Sequence, residues 1–178
     1  MISRMNSSKV IGLVALAEKP GLGEALRIMR RELSRHGLGS CVIETPDALE
    51  RAIGRCGMLV TFGGDGTMLG VARRVAGRGI PLLGINFGRV GFLADIQPEQ
   101  WEKGLADSLA GITPERTCMA LQWKVVRNES TLAKGVAVND VVLSRAALSR
   151  LVNMDIGVDG QEMCRLRSDG VIISTPIG

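Results

Sequence analysis

The run Met58-Leu59-Val60-Thr61-Phe62 empties into Gly63-Gly64-Asp65-Gly66, and a helical pattern follows from Thr67. An apolar run of strand length with no polar alternation is buried on both faces, as a central parallel strand is. The glycines let the backbone take positive φ and approach a ligand with no Cβ in the way. Successive amides in such a turn, next to a helix N-terminus, form a concave anion site suited to phosphate. Phosphate needs no carboxylate. Asp65 is therefore either a helix cap, worth about 1 kcal/mol, or a chemical group.

The surrounding pattern extends this strand-turn-helix unit. Residues 9–17 read as a first strand. Leu22, Leu26, Met29 and Leu33 then recur at the spacing of one helix face, with Gly37 as a C-cap. Residues 40–44 form a short strand, and Asp47 is placed to cap a helix running to Ile53. The helix after the glycine turn is expected over 67–76, and residues 81–85 form the next strand. This alternation predicts an α/β fold, a doubly wound parallel sheet with ligands at the carboxyl ends of its strands. A second glycine-bearing loop, Asn86-Phe87-Gly88-Arg89-Val90-Gly91-Phe92-Leu93, follows at once, so two loops at adjacent strand ends can face one cleft. Residues 98–109 read as a helix opened by proline.

From Gly111 helical periodicity disappears. Residues 117–127, 131–138, 151–158, 161–166 and 171–174 read as strands, with hairpin signals at Asn128-Glu129-Ser130 and Asp159-Gly160. The expected organisation is an α/β domain over 1–110 and the start of a β-rich second domain over 111–178.

Composition narrows the function classes. Glycine is abundant, at 23 of 178 residues, against three Phe, two Trp and no Tyr. That suits backbone-lined ligand loops and argues against a stacking platform for single-stranded nucleic acid. The net charge of +4 includes no long basic block, which makes nucleic acid an unexpected partner. Cys41, Cys56, Cys118 and Cys164 are scattered, and His36 is the single histidine, so no zinc-type metal site is expected. Widely spaced cysteines suit reduced thiols and a cytoplasmic location. No stretch is long enough for a membrane span.

The glycine turn is neither of the common phosphate fingerprints: it lacks the P-loop lysine and the GxGxxG spacing. An acidic side chain beside a phosphate nest suits phosphoryl transfer, with Asp65 accepting a proton from an attacking hydroxyl. Gly63-Gly64-Asp65-Gly66-Thr67 resembles the signature of the NAD kinases, shared more loosely by phosphofructokinases, diacylglycerol kinases and sphingosine kinases. Leu83 to Leu93, Val138-Asn139-Asp140-Val141-Val142-Leu143 and Arg167-Ser168-Asp169-Gly170-Val171-Ile172-Ile173-Ser174-Thr175-Pro176 resemble the NAD kinase pattern of bacterial type, in family order.

The resemblance implies phosphoryl transfer from ATP, or a polyphosphate donor, to the 2′-hydroxyl of NAD with a divalent metal, Mg²⁺. It makes Asp65 the proton acceptor, with Gly66 beside it in the nucleotide site. Asn139 and Asp140 then hold the dinucleotide, and Arg150, Arg167 and Asp169 fall at further NAD contacts. Arg145 is an alternative to Arg150, and an Arg167–Asp169 ion pair along a strand is the competing structural reading. Asn86 is a substrate-side candidate, while Arg73, Arg74, Arg78 and Arg89 read as solvated. A homo-oligomer is implied, with no membrane partner. After Thr175-Pro176 the family continues Thr-Gly-Ser-Thr-Ala-Tyr and most of a β-rich domain, whereas here Ile177 and Gly178 close the sequence. The expectation is thus a C-terminally truncated NAD kinase. The alternatives are an inactive nucleotide-binding or subunit-association fragment, or a lipid or sugar kinase sharing the turn.

Overall fold

The computed structural model describes residues 10–88, 91–94, 96–145 and 151–178. They form two compact units, Met1–Thr117 and Cys118–Gly178.

In the first unit, β1 (Val10–Val14), β2 (Ser40–Ile43), β3 (Cys56–Gly63) and β4 (Leu82–Asn86) make one sheet in the order β2-β1-β3-β4. Every pairing is parallel. Chain connectivity explains the order: each strand is followed by a helix that crosses a face of the sheet before the next strand pairs. Helix α1 (Leu22–Arg35) buries Leu22, Met29 and Leu33 against the Ile11, Leu13, Val60 and Phe62 face, where Trp101 and Leu105 of α4 (Trp101–Leu109) also pack. On the other face α2 (Pro46–Ala52) supplies Leu49 and Ala52, and α3 (Asp65–Val75) supplies Val71 and Val75, against Val14, Ile43 and Leu59. Helices on both faces leave β3 dry on both sides. The doubly wound sheet expected from the sequence is present.

Helix ends follow local chemistry. Gly37, at φ 71°, ends α1, and the Leu38 N–H reaches back to the Leu33 carbonyl at 2.9 Å, closing a Schellman turn. At α2 the cap is Thr45, not Asp47: the Ala48 N–H donates to Thr45 Oγ1 at 3.1 Å, and Pro46 fills the first helical position. Proline there has no N–H to satisfy, so the helix starts at residue 46, two residues before the start that Asp47 as cap would give. The Pro98 region is a 3₁₀ turn, Pro98–Gln100, leading into α4.

Among its described residues the second unit has three antiparallel pairs: β5 (Leu121–Arg127) with β6 (Ser130–Ala137), β7 (Asp140–Ser144) with β10 (Gly170–Ser174), and β8 (Val152–Val158) with β9 (Gln161–Ser168). Both hairpin turns read from the sequence form. Asn128 and Glu129, and Asp159 and Gly160, all take positive φ, as the tight turns that match strand twist require.

Candidate functional site

The site begins where β3 ends. The sequence leads one to expect positive φ in the glycine turn, but Gly63, Gly64 and Gly66 all stay outside the left-handed region. What glycine supplies here is room. A Cβ on Gly63 would sit 2.3 Å from Thr67 Oγ1, so the turn can fold tightly under its own helix only without one. Gly66 is the opposite case, because a Cβ there would meet nothing within 4 Å. Helix α3 starts at Asp65, two residues before the expected start. Its N-cap is Gly64, which has no side chain to accept the first N–H groups, and the Gly64 carbonyl accepts from Thr67 and Met68 at 3.0 and 3.1 Å. The N-terminus of α3 is thus uncapped by a side chain at the carboxyl end of the central strand, a geometry that favours an anion.

Asp65 does not cap its own helix. Its carboxylate reaches the loop after β4 and accepts three consecutive backbone N–H groups there. Phe92 donates to Oδ2 at 2.8 Å, and Leu93 and Ala94 donate to Oδ1 at 3.0 and 3.2 Å. These bonds favour the charged form. The Phe92 amide, then that of Leu93, holds the carboxyl below the ordinary aspartate range; partial burial opposes this and the Ala94 amide adds to it. Two carboxylate oxygens offer about four lone-pair sites. With two bonds on Oδ1 and one on Oδ2, Oδ2 retains capacity for one more donor. Asp65 is therefore an ionised acceptor of fixed orientation, suited to receive a hydroxyl hydrogen bond.

The loop that holds Asp65 is itself anchored. Asn86, buried at the end of β4, accepts from the Gly88 N–H through Oδ1 at 2.8 Å, and its own N–H donates to the Ile96 carbonyl at 2.7 Å. A Cβ on Gly88 would lie 3.4 Å from the Gly64 nitrogen, so the two glycine loops are in contact, as strand adjacency suggested. Asn86 thus shapes the loop, and Arg89 lies outside the described residues.

In the second unit, Asn139 and Asp140 stand at the entry to β7. The Asn139 amide donates to Asp140 Oδ2 at 3.1 Å, and Asp140 pairs in register with Ser174 of β10. Thr175, not singled out in the sequence, fixes this turn. It is buried, its N–H donates to the Asn139 carbonyl at 2.8 Å, and its hydroxyl donates to the Val138 carbonyl at 2.8 Å. The signal was a Thr-Pro step ending an apolar strand, readable as a turn but not as a partner of residue 139. Asp169 is exposed and pairs with Arg145, not with Arg167: the Arg145 guanidinium meets its carboxylate and the Arg145 N–H donates to its carbonyl at 2.8 Å. The Arg167–Asp169 strand pair is thereby corrected. Alternate residues of a strand point the same way, but the turn between β9 and β10 intervenes, and Arg167 lies opposite Asn153 in the β8–β9 ladder. Arg150 lies outside the described residues.

Among the described residues, no three His, Cys, Asp or Glu side chains come together as a metal-ligand set. They do not make a dedicated cage for a divalent ion. Magnesium in phosphoryl-transfer sites characteristically keeps waters and binds through one or two carboxylates together with substrate phosphates. A concavity of about 410 Å³ lined by Arg27, Arg30, Arg31, Ser34 and Ser40 lies near the start of β2. In a parallel sheet that is the end away from the glycine turn, and Arg27 is already engaged by Glu24 at 2.6 Å.

Comparison with known proteins identifies the family. Residues 13–112 match the family model of the ATP-NAD kinase N-terminal domain. An NAD kinase of Nitratidesulfovibrio vulgaris (strain Miyazaki F) is 44% identical over 164 residues, which cover 90% of this chain and 57% of that protein. The chain thus spans a little over half the length of that relative. The crystal structure of yeast NADH kinase complexed with NADH superposes with a TM-score of 0.75 at 21% identity, over 96% of this chain and 59% of that one, and shows the fold. An NAD kinase from Archaeoglobus fulgidus in complex with ATP gives a TM-score of 0.65 at 25% identity, over 92% and 59%. With its N-terminal unit matched by the family model and its central glycine turn built as an uncapped helix start beside a fixed carboxylate, this chain belongs to the NAD kinase family.

Proposed function

We propose that the chain transfers a phosphoryl group from ATP, or a polyphosphate donor, to the 2′-hydroxyl of NAD. The observation that supports this reading best is the Asp65 carboxylate, held in one orientation by three amides with one acceptor site spare, beside an uncapped helix start. In this reading the α3 N-terminus and Gly66 receive phosphate. The residue at 66 supports it: a helical glycine with open space around it forgoes about 0.5–1 kcal/mol relative to alanine with no packing reason to do so. Close approach of a ligand to the backbone supplies a reason.

Asp65 accepts the hydrogen bond of the 2′-hydroxyl and orients its oxygen toward the terminal phosphorus of the donor. The new O–P bond forms as the bond to the bridging oxygen breaks. ADP leaves, and the hydroxyl proton passes to Asp65 and on to solvent. A carboxylate of low pKa suits this order, because a loose transition state demands little proton removal before the phosphorus is reached. A divalent ion bound together with the donor would supply charge neutralisation at the phosphates.

The second unit holds the dinucleotide in this proposal. Asn139 supplies an amide for a base edge, Asp140 accepts from ribose hydroxyls, and Arg167, Asp169 and Arg150 complete the contacts. A domain division near 110, a homo-oligomeric assembly and a cytoplasmic setting, where NAD and ATP are at hand, belong to the same reading. No described helix is long and apolar enough to cross a membrane.

The test is direct. Chain supplied with NAD, ATP and Mg²⁺ is expected to form NADP, followed by an NADP-specific dehydrogenase. NAD binding in calorimetry without NADP would favour a nucleotide-binding fragment, and neither binding nor turnover would remove the proposal.

A further inference from the structure

We propose that Gly91 is a positioning residue for Asp65. It leaves empty the space into which the carboxylate turns, and so allows the three amides that follow to hold it in one orientation. The inference rests on the role proposed above for Asp65.

The steric observation is specific. A Cβ built on Gly91 would lie 2.3 Å from Asp65 Oδ1, 2.5 Å from Cγ and 2.6 Å from Oδ2. All three are closer than real carbon contacts, and the whole carboxyl group is involved rather than one movable tip. The group is not free to swing aside, because both oxygens are bonded to the Phe92, Leu93 and Ala94 amides. Gly91 is outside the left-handed region, so an alanine could take its backbone conformation. What alanine cannot have is the volume. The demand at this position is thus purely for space, and the occupant of that space is the carboxylate.

The consequence for chemistry follows from geometry. Restoring a methyl at 91 pushes the carboxylate off the amides or moves the 92–94 backbone away from it. In either case Asp65 loses the bonds that orient it and hold its carboxyl below the ordinary aspartate range. The described residues packed against the carboxylate, Gly91, Phe92, Leu93 and Ala94, carry no charged side chain, and the loop's charged residues Arg89 and Asp95 lie outside the described set. Among the described residues, the amides are what lowers the pKa of Asp65. Misplacing a reacting group by about 1 Å lowers rates by roughly 100-fold, and a hydroxyl orienter displaced this way should lower kcat by that order while leaving KM for NAD within a few-fold.

Two readouts test the inference, one of them independent of turnover. In the first, the Asp65 carboxyl carbon is titrated by NMR in wild type and in Gly91→Ala. The midpoint is expected to rise toward the ordinary aspartate value in the variant, with the Phe92 and Leu93 amide resonances losing their hydrogen-bonded shifts. The second is a double-mutant cycle on thermal stability, in which Gly91→Ala is expected to lower Tm in wild type and to do far less in Asp65→Ala, where no carboxyl occupies the space. If Gly91→Ala alone does not fold, recovery of folding on adding Asp65→Ala gives the same support. An unchanged Asp65 titration, or an equal loss of Tm in both backgrounds, overturns the proposal. Should wild type make no NADP while the titration and cycle behave as expected, the positioning role stands and the kinase reading fails. NADP formation with a flat titration has the reverse meaning.

Discussion

The two units of this chain reach order by different routes. The first buries two clusters of side chains, one on each face of a parallel sheet, with Ile11, Leu13, Leu59, Val60 and Phe62 almost wholly removed from water. In the second, Thr175 is the one fully buried position among the described residues, while Val142, Leu143, Ile172 and Ile173 remain more than half exposed. Its strands are held by ladder hydrogen bonds and tight turns, and two-stranded pairs are marginal on those alone. The lesson concerns the site. Asp65 sits on the unit with the buried core, where orientation matters most. Asn139 and Asp140 sit on the other, and depend on one buried threonine for theirs.

The strongest attack on this contrast is Phe62→Ala, which should remove about 3–5 kcal/mol. Val126→Ala, on the half-exposed surface of β5, should change stability by less than about 0.5 kcal/mol. Each unit has its own tryptophan, Trp101 buried against the sheet and Trp123 against Gly135 of β6. Urea unfolding followed in Trp123→Phe and Trp101→Phe variants separates the two. Trp123 should report loss of structure at lower urea than Trp101, and Phe62→Ala should narrow the gap. Coincident transitions in wild type would abolish the contrast.

A smaller effect is expected at Thr175→Val, which keeps the shape and removes the hydroxyl. The Val138 carbonyl and Ile177 N–H lose their partner, a loss of about 1–3 kcal/mol. NAD affinity, read by calorimetry, should fall with it, whereas phosphate-donor binding should not. Gly66→Ala is expected to do the converse: helix propensity holds or raises stability, up to about 1 kcal/mol, while donor affinity falls.

Much of the first unit was legible in the sequence because buried parallel strands are continuous apolar runs. Met58 to Phe62 could be little else, and the flanking strand and helix patterns followed. What could not be read were contacts between segments remote in sequence. The Asp65 bonds span 27 to 29 positions, and nothing at 65 says that its acceptors will be filled from the next loop. Local reading weighed a cap against chemistry, and the third possibility was invisible to it. The same holds for Thr175 with Asn139 and for Asp169 with Arg145. Where local chemistry did mislead, at Asp47 and at the expected positive φ of the turn, the reason was also physical. Pro46 sets the helix start, and Gly63 is needed for its missing Cβ rather than for a special φ.

Two finer measurements sharpen the contrast. The folded pKa of Asp65 is depressed, so its stabilising effect is present above the unfolded value of 3.8 and is lost as pH falls through the folded one. Asp65→Asn should therefore lower Tm near neutrality and converge with wild type in strong acid. Thiol labelling gives the smallest effect. Cys56 is buried in the first unit, and burial, with Cys41 beside it, pushes its thiol up to about 12, whereas Cys118 is exposed. Cys118 should react first at neutral pH, and Cys56 only when the first unit unfolds.

The claim at the centre is that the carboxylate of Asp65, besides its contribution to stability, serves the chemistry. It is tested most directly by NADP formation from NAD, ATP and Mg²⁺ in wild type and Asp65→Asn, at a temperature where Trp101 fluorescence shows both folded. Wild type should make NADP and Asp65→Asn should be slower by about 100-fold or more. An Asp65→Asn chain that is folded and turns over at the wild-type rate would contradict it.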